Sequence, residues 1–361
     1  MKKFLPVIFC FLFSSFVIAQ QQVSLLFVGD AMQHMPQINA AKTSSGYDYK
    51  NCFQYIKNEV SSVDVAVVNL ETTFAGKPYN GYPKFSAPDE FAEDLIDAGF
   101  DVFLTCNNHS ADTGKKGIER TIQVLDSLQI KHTGTFKNAE ERKLFYPLII
   151  VKNGFRLAFL NYSYNTNGMP VYSPNIVNVI NDKLILQDIA EAKQYKPDMI
   201  IACMHWGNEY QRLPNNEQKR LANLLIDNGV GLIIGSHPHV IQPIEAPLDV
   251  DGKISHVVAY SLGNFISNQK DRYTDSGAMV KIVLEKQEDK VSIADCKYSL
   301  VWRYKYTEQG KLNYTLIPAS IYDNQPEMVQ TSLQSIMKQS FEDARSLLQK
   351  HNKNVDEYVF E

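Results

Sequence analysis

The segment Val63–Val68 is a nearly continuous run of Val and Ala with a single polar interruption. A strand with one wet face alternates apolar and polar residues. An almost unbroken run of this length instead predicts a strand buried on both faces, which in practice means a parallel sheet covered by helices. The run has company along the chain. Strands are predicted at Ser24–Val28, Phe100–Thr105, Met199–Cys203, Gly231–Ile234 and His256–Ser261, and helices at Tyr49–Val60, Pro88–Ala98, Gly117–Leu128, Lys183–Gln194 and Asn216–Asn228. Pro147–Val151 and Phe155–Leu160 flank Asn153-Gly154, a two-residue hairpin signal. Ala278–Leu284 and Val291–Tyr298 read as later antiparallel strands. Strand–helix alternation occurring twice over predicts an α/β architecture with two sheets or one large mixed sheet. Tyr162–Asn181 is polar and turn-rich, a loop suited to covering a site. Pro326–Lys350 reads as a C-terminal helix with one apolar face.

Composition narrows the class. Hydrophobic residues make up 44% of the 361 positions and charged residues 21%, which excludes disordered, collagenous and coiled-coil chains. The formal net charge of −4 and the lack of any long Lys/Arg run argue against a nucleic-acid partner. At the N-terminus, Lys2-Lys3, the apolar stretch Phe4–Ile18 and the small-residue end Val17-Ile18-Ala19 form a signal-peptide pattern. About 15 residues at ~1.5 Å rise are too short to cross ~30 Å of hydrocarbon comfortably. The expected layout is a signal peptide over 1–19, one main domain over 20–320 and a C-terminal helical segment over 321–361. The expected location is secreted, periplasmic or at the cell envelope, with no membrane span in the mature chain. Cys52, Cys106, Cys203 and Cys296 are widely spaced and contain no CxxC pair, so they read as buried free thiols.

Chemistry gathers where the apolar runs end. Gly29-Asp30, Asn69-Leu70-Glu71, Asn107-Asn108-His109, His205-Trp206-Gly207 and Ser236-His237-Pro238-His239 each follow a predicted strand, and Gly263-Asn264-Phe265 follows Tyr260-Ser261-Leu262. Loops beyond the carboxyl ends of strands converge in α/β sheets, so such clusters belong to one site. Carboxylate, carboxamide oxygen and neutral imidazole suit Mn, Fe, Zn or similar divalent ions. His237 and His239, with Pro238 stiffening the backbone between them, are placed to reach neighbouring metals ~3.5–4 Å apart. A two-metal site of this kind activates water and clamps the oxygens of an in-line displacement at phosphorus, with a histidine off the metal protonating the leaving oxygen. Trp206, Glu209 and Tyr210 are candidates for the pocket wall. Asn264 is a candidate for orienting a ligand, and Lys115, Lys116 and Arg120 for attracting an anion.

In order and wording these motifs resemble the calcineurin-like metallophosphoesterases. Val67-Val68-Asn69-Leu70-Glu71, Cys106-Asn107-Asn108-His109 with Asp112 and Gly114, His205-Trp206-Gly207-Asn208-Glu209-Tyr210, Gly235-Ser236-His237-Pro238-His239-Val240 and Tyr260-Ser261-Leu262-Gly263-Asn264-Phe265 narrow the resemblance to the CapA family of poly-γ-glutamate capsule biosynthesis proteins, over about residues 23–270. The resemblance implies a four-layer sandwich of two mixed β-sheets flanked by helices. It implies that Asp30 and His239 hold one metal, that Asn108, His205 and His237 hold a second, that Glu71 bridges them, and that His109 is the general acid. One departure stands out. Met32 occupies the place where the superfamily's Asp-x-His motif carries its imidazole, so one or two divalent ions are implied; His34 lies two residues too late to substitute and reads as a solvated loop histidine.

The expected function is that of a secreted metal-dependent hydrolase of the phosphoesterase type, serving capsule, poly-γ-glutamate or envelope polymer biosynthesis. Its partners would be an anionic small molecule or the capsule polymer, together with capsule synthesis or export machinery. Because poly-γ-glutamate contains no phosphate, two alternatives stand beside it. One is a non-catalytic metal-binding accessory protein for synthesis, export or anchoring of a polyanionic polymer. The other is an amide-bond hydrolase or transferase on the same site.

Overall fold

The computed structural model describes residues 21–288 and 290–360; the expected signal peptide, residues 1–19, lies outside them. Two mixed sheets pack face to face. The larger runs in the order Lys311–Pro318, Lys290–Glu308, Ser276–Gln287, Gln21–Ala31, Val65–Leu70, Val102–Leu104, Lys131–Thr133, with Asn264–Ile266 and Asp356–Glu357 paired alongside. The smaller runs Ile244–Glu245, Val257–Ala259, Leu232–Ser236, Met199–His205, Phe155–Ser163, Leu148–Lys152.

Alternation along each strand explains the layering. Leu25, Phe27, Val65 and Val67 point inward to meet Leu157, Phe159, Ile201, Leu232 and Val257 of the other sheet. Their neighbours Leu26, Val28, Ala66 and Val68 point outward and pack beneath helices contributing Phe53, Phe91, Leu95 and Leu125. On the opposite flank Ala158, Leu160, Ile200, Ala202 and Ile233 pack beneath helices Asp182–Gln194 and Asn216–Asp227. The result is helix, sheet, sheet, helix: the four-layer sandwich. Every residue of Val65–Leu70 is buried, as the apolar run requires.

The structure departs from the sequence reading in places. The helix expected over Tyr49–Val60 is two short helices, Lys50–Phe53 and Lys57–Ser62. Tyr49, Cys52, Phe53, Ile56 and Val60 keep one buried face across the break. The Asn153-Gly154 hairpin has both residues at positive φ, 50° and 81°, as a two-residue turn demands. The antiparallel strands Ser276–Gln287 and Lys290–Glu308 are longer than periodicity indicates, and Lys311–Pro318 adds a further one. Helix Thr331–His351 lays Met337, Phe341, Ala344 and Leu348 onto this extension, within the same inner cluster. All four described cysteines are buried and free.

Candidate metal centre

The polar clusters meet at the carboxyl ends of the parallel strands of both sheets. Asp30 ends the Gln21–Ala31 strand, in register with Asn69 on one neighbour and Asn264 on the other. This junction is tight: a Cβ built on Gly29 would stand 1.9 Å from the carbonyl oxygen of Gly263, so only glycine lets the strand approach that turn. Asn69 Nδ2 donates to Asp30 Oδ1 at 2.7 Å. His239 Nδ1 lies 3.0 Å from Asp30 Oδ2 and 3.1 Å from Asn264 Oδ1.

Glu71 occupies the middle. It is fully buried, and neither carboxylate oxygen has a hydrogen-bond partner. Its Oε1 is 3.8 Å from His205 Nε2, 3.8 Å from His239 Nε2 and 4.0 Å from His109 Nε2. Burial, together with the charge of Asp30, pushes its carboxyl well above the usual range. His205 Nε2 is 2.8 Å from Asn108 Oδ1, and its Nδ1 is 2.9 Å from Ser236 Oγ. Burial drives His205 well below the ordinary imidazole value and lowers His237 to about 3, with the neighbouring histidines adding to both effects. His237 Nδ1 and Asn108 Nδ2 are buried without partners. His109 is oriented from outside the cluster: its Nδ1 is 2.7 Å from Asp112 Oδ2, and its ring meets Phe85 edge-on at 4.6 Å.

All seven residues named for the site, Asp30, Glu71, Asn108, His109, His205, His237 and His239, are brought together. They fit a divalent cation on their own chemistry. Two buried carboxylates have imidazoles as their only ion-pair partners among the described residues, burial disfavours the charged form of His205 and of neighbouring His237, and several donor atoms are orphaned. Such a set carries an uncompensated cost that a cation removes. Five of the seven fall into two groups of donors, each within 4.8 Å: Asp30, Glu71 and His205 in one, and His237 and His239, joined by Glu209, in the other.

Several flanking expectations change. Trp206 does not line the pocket; it packs in the outer core and donates to the Tyr260 carbonyl at 2.9 Å. Glu209 and Tyr210 do line it. Arg120 is spent on a two-pronged pair with Asp89, and Lys115 faces Glu119; the cation on the cleft wall is Lys84 instead. His34 is no solvated loop residue. It precedes helix Met35–Ala41, exchanges hydrogen bonds with Gln37, stacks edge-on against Phe85 and lines the cleft beside Met32. From the loop over 162–181, Asn167 and Met169 reach the cleft, and Tyr164 lies over His237 with ring centroids 4.3 Å apart. The cleft measures about 540 Å³.

A four-layer α/β sandwich with a carboxylate–imidazole–carboxamide cluster at its strand ends defines a protein of the metallophosphoesterase fold class. NAD nucleotidase (NadN) of Haemophilus influenzae shares the fold at a TM-score of 0.50 and 12% identity, over 95% of this chain and 65% of that one, so the chain spans under two thirds of that neighbour's length. Sequence comparison resolves the class further: residues 24–269 match the family of bacterial capsule synthesis protein PGA_cap, and the chain belongs to it. Among its relatives, the capsule biosynthesis protein CapA of Bacillus anthracis is 25% identical over 327 residues, covering 87% of this chain and 71% of the relative. The PGA biosynthesis protein CapA of Bacillus subtilis (strain 168) is 29% identical over 272 residues, covering 73% and 68%.

Proposed function

We propose that the protein is an exported, metal-dependent hydrolase of the phosphoesterase type, acting on an anionic compound in the synthesis or handling of a capsule polymer. The observation that supports this most is the disposition of His109. It belongs to neither of the two donor groups, with Nε2 4.0 Å from Glu71 and Nδ1 2.7 Å from Asp112. The Asp112 carboxylate fixes the ring and favours its charged form, as a proton donor requires.

In this reading Asp30, Glu71, Asn108, His205, His237 and His239 hold one or two divalent ions such as Mn, Fe or Zn. Bound there, such ions supply Lewis acidity and charge neutralisation for a displacement. The protein's own side chains do the rest. Asp112 accepts from His109 Nδ1–H and stabilises the imidazolium, which presents its Nε2 proton to the leaving oxygen. Phe85 restricts the ring to that orientation. Asn69 and Asn264 hold Asp30 and His239 in place, which matters because misplaced ligands lose affinity. Lys84, exposed on the cleft wall, faces an anionic substrate.

Among the described residues no helix is long and apolar enough to cross a membrane. Export after cleavage behind Ala19 predicts Gln20 as the mature N-terminus, checked by intact mass. The activity is tested by elemental analysis of purified protein and aryl-phosphate hydrolysis across added Mn, Zn and Fe. Metal-dependent turnover is expected.

Met32 favours a second reading. A buried thioether stands on the cleft wall at the motif position of an imidazole, which suits a site that binds polymer carboxylates through its ions without turnover. Polymer binding with no hydrolysis of any phosphoester or γ-glutamyl amide would decide for it.

A further inference from the structure

Glu209 lies in the turn after the Met199–His205 strand, in none of the positions that the motif resemblance assigns to a ligand. Its backbone neighbour Tyr210 donates its N–H to the carbonyl of Pro238 at 2.8 Å. That bond fastens the Glu209 turn onto the His237-Pro238-His239 segment. Three non-glycine residues across these two touching loops have left-handed backbone: Tyr210 at φ 64°, His237 at 97° and His239 at 59°. Each such conformation is strained and persists only where the surroundings over-determine it.

What the two loops achieve together is a convergence of donors. One carboxylate oxygen of Glu209 and one ring nitrogen each of His237 and His239 lie within 4.8 Å of one another. His237 is 3% exposed, and its Nδ1 is a buried polar atom with no partner. Glu209 is exposed and, with His239, lines the cleft.

We propose that Glu209 is a further metal ligand, reaching the cation position of Asp30 and His239 from the turn fastened above it and supplying the donor that Met32 does not. This deepens the reading of the cluster as a divalent-metal centre and rests on it. A neutral thioether is a poor ligand for Mn, Zn or ferrous iron, whereas a carboxylate suits all three. Glu71 Oε1, 3.8 Å from both His205 Nε2 and His239 Nε2, is the carboxylate that spans the two positions.

The test is equilibrium dialysis of chelator-stripped protein against Zn²⁺ and Mn²⁺ with elemental analysis, on wild type, Glu209→Gln and Asn108→Ala. Wild type is expected to bind two ions of separable affinity. Glu209→Gln weakens one of them tenfold or more and leaves the other unchanged, while Asn108→Ala weakens the other. Melting of the stripped Glu209→Gln protein is unchanged, because the side chain is exposed and has no ion pair among the described residues. Wild-type binding of both ions by Glu209→Gln overturns this assignment and leaves the metal-centre reading standing. Equal weakening of both ions also overturns it, since that reports lost charge and not a lost ligand. A wild type that binds neither cation overturns both readings together.

Discussion

His109 Nδ1 and Asp112 Oδ2 lie 2.7 Å apart, three residues from each other on one turn and both buried; the same oxygen accepts the Phe85 N–H at 2.6 Å. Asp112 therefore ties the orientation of the imidazole to the segment that carries Phe85, the ring packed against it. Replacing His109 by Ala should leave metal content nearly unchanged, because among the described residues no other group at the centre hydrogen-bonds its Nε2, while stability falls by about 1–3 kcal/mol as buried Asp112 loses a partner. Turnover of a substrate with a poor leaving group should fall by roughly 10²–10⁴, the worth of positioned proton transfer. The loss should be smaller for an activated ester. Loss of bound metal in His109→Ala would make it a ligand and withdraw its role as acid.

Chelation should destabilise the protein. Glu71 is buried with no hydrogen-bond partner beside a second carboxylate, and a bound cation is what relieves that. Returning Mn²⁺ or Zn²⁺ to stripped protein at a hundred times its dissociation constant should restore about 2.7 kcal/mol by linkage. Thermal melts across a metal titration read this directly. An unchanged melting temperature at millimolar concentrations of either ion would remove the metal centre from consideration.

Gly29→Ala tests the strand junction. A Cβ there stands 1.9 Å from the Gly263 carbonyl oxygen, which is backbone and cannot swing away. Overpacking of this kind costs about 1–3 kcal/mol, and because Asp30 is the next residue the displacement should also weaken metal binding. Denaturant melts and metal dialysis on one variant measure both effects. A variant with wild-type stability and wild-type affinity would show that the junction is looser than its geometry.

Acid should act in part through His34. Burial lowers it from 6.5 to about 4; the hydrogen bond to Gln37 opposes this, while the charges of His239, His109 and Arg303 add to it. Its pKa is thus depressed in the folded state. The unfolded chain takes up a proton near pH 6.5 and the folded chain only near 4, so stability present above 6.5 is lost as pH falls through that window. The melting temperature of metal-loaded wild type should therefore drop more steeply between pH 6.5 and 4 than that of His34→Gln. Parallel profiles would show that other groups carry the whole acid response.

Much of the fold was legible because its signals are local. The unbroken apolar character of Val63–Val68 requires burial on both faces, and helices on one flank and a second sheet on the other supply it. Asn153-Gly154 states its own turn through the φ values it tolerates. The polar clusters were legible for the same reason: each follows directly on an apolar run, so the end of a strand and the start of a site are adjacent letters. The extension of the large sheet carries a local signal too, in the strict polar–apolar alternation of Lys311–Leu316, but its place at the sheet edge comes from pairing with Lys290–Glu308.

By itself the sequence determined which residue types stand at the strand ends, and hence that carboxylates, imidazoles and a carboxamide had to share one face of an α/β sandwich. It could not determine how they are shared out. Trp206 and Glu209 stand three residues apart in one motif; the first turns into the helix-covered core and the second over the cleft. That choice depends on a hydrogen bond from Tyr210 to Pro238 and on left-handed backbone at His237 and His239. Asp30 and His239 meet at 3.0 Å across 209 positions of chain. No local periodicity encodes contacts of that range, because they exist only once the two sheets have packed against each other and brought their strand ends to a common edge.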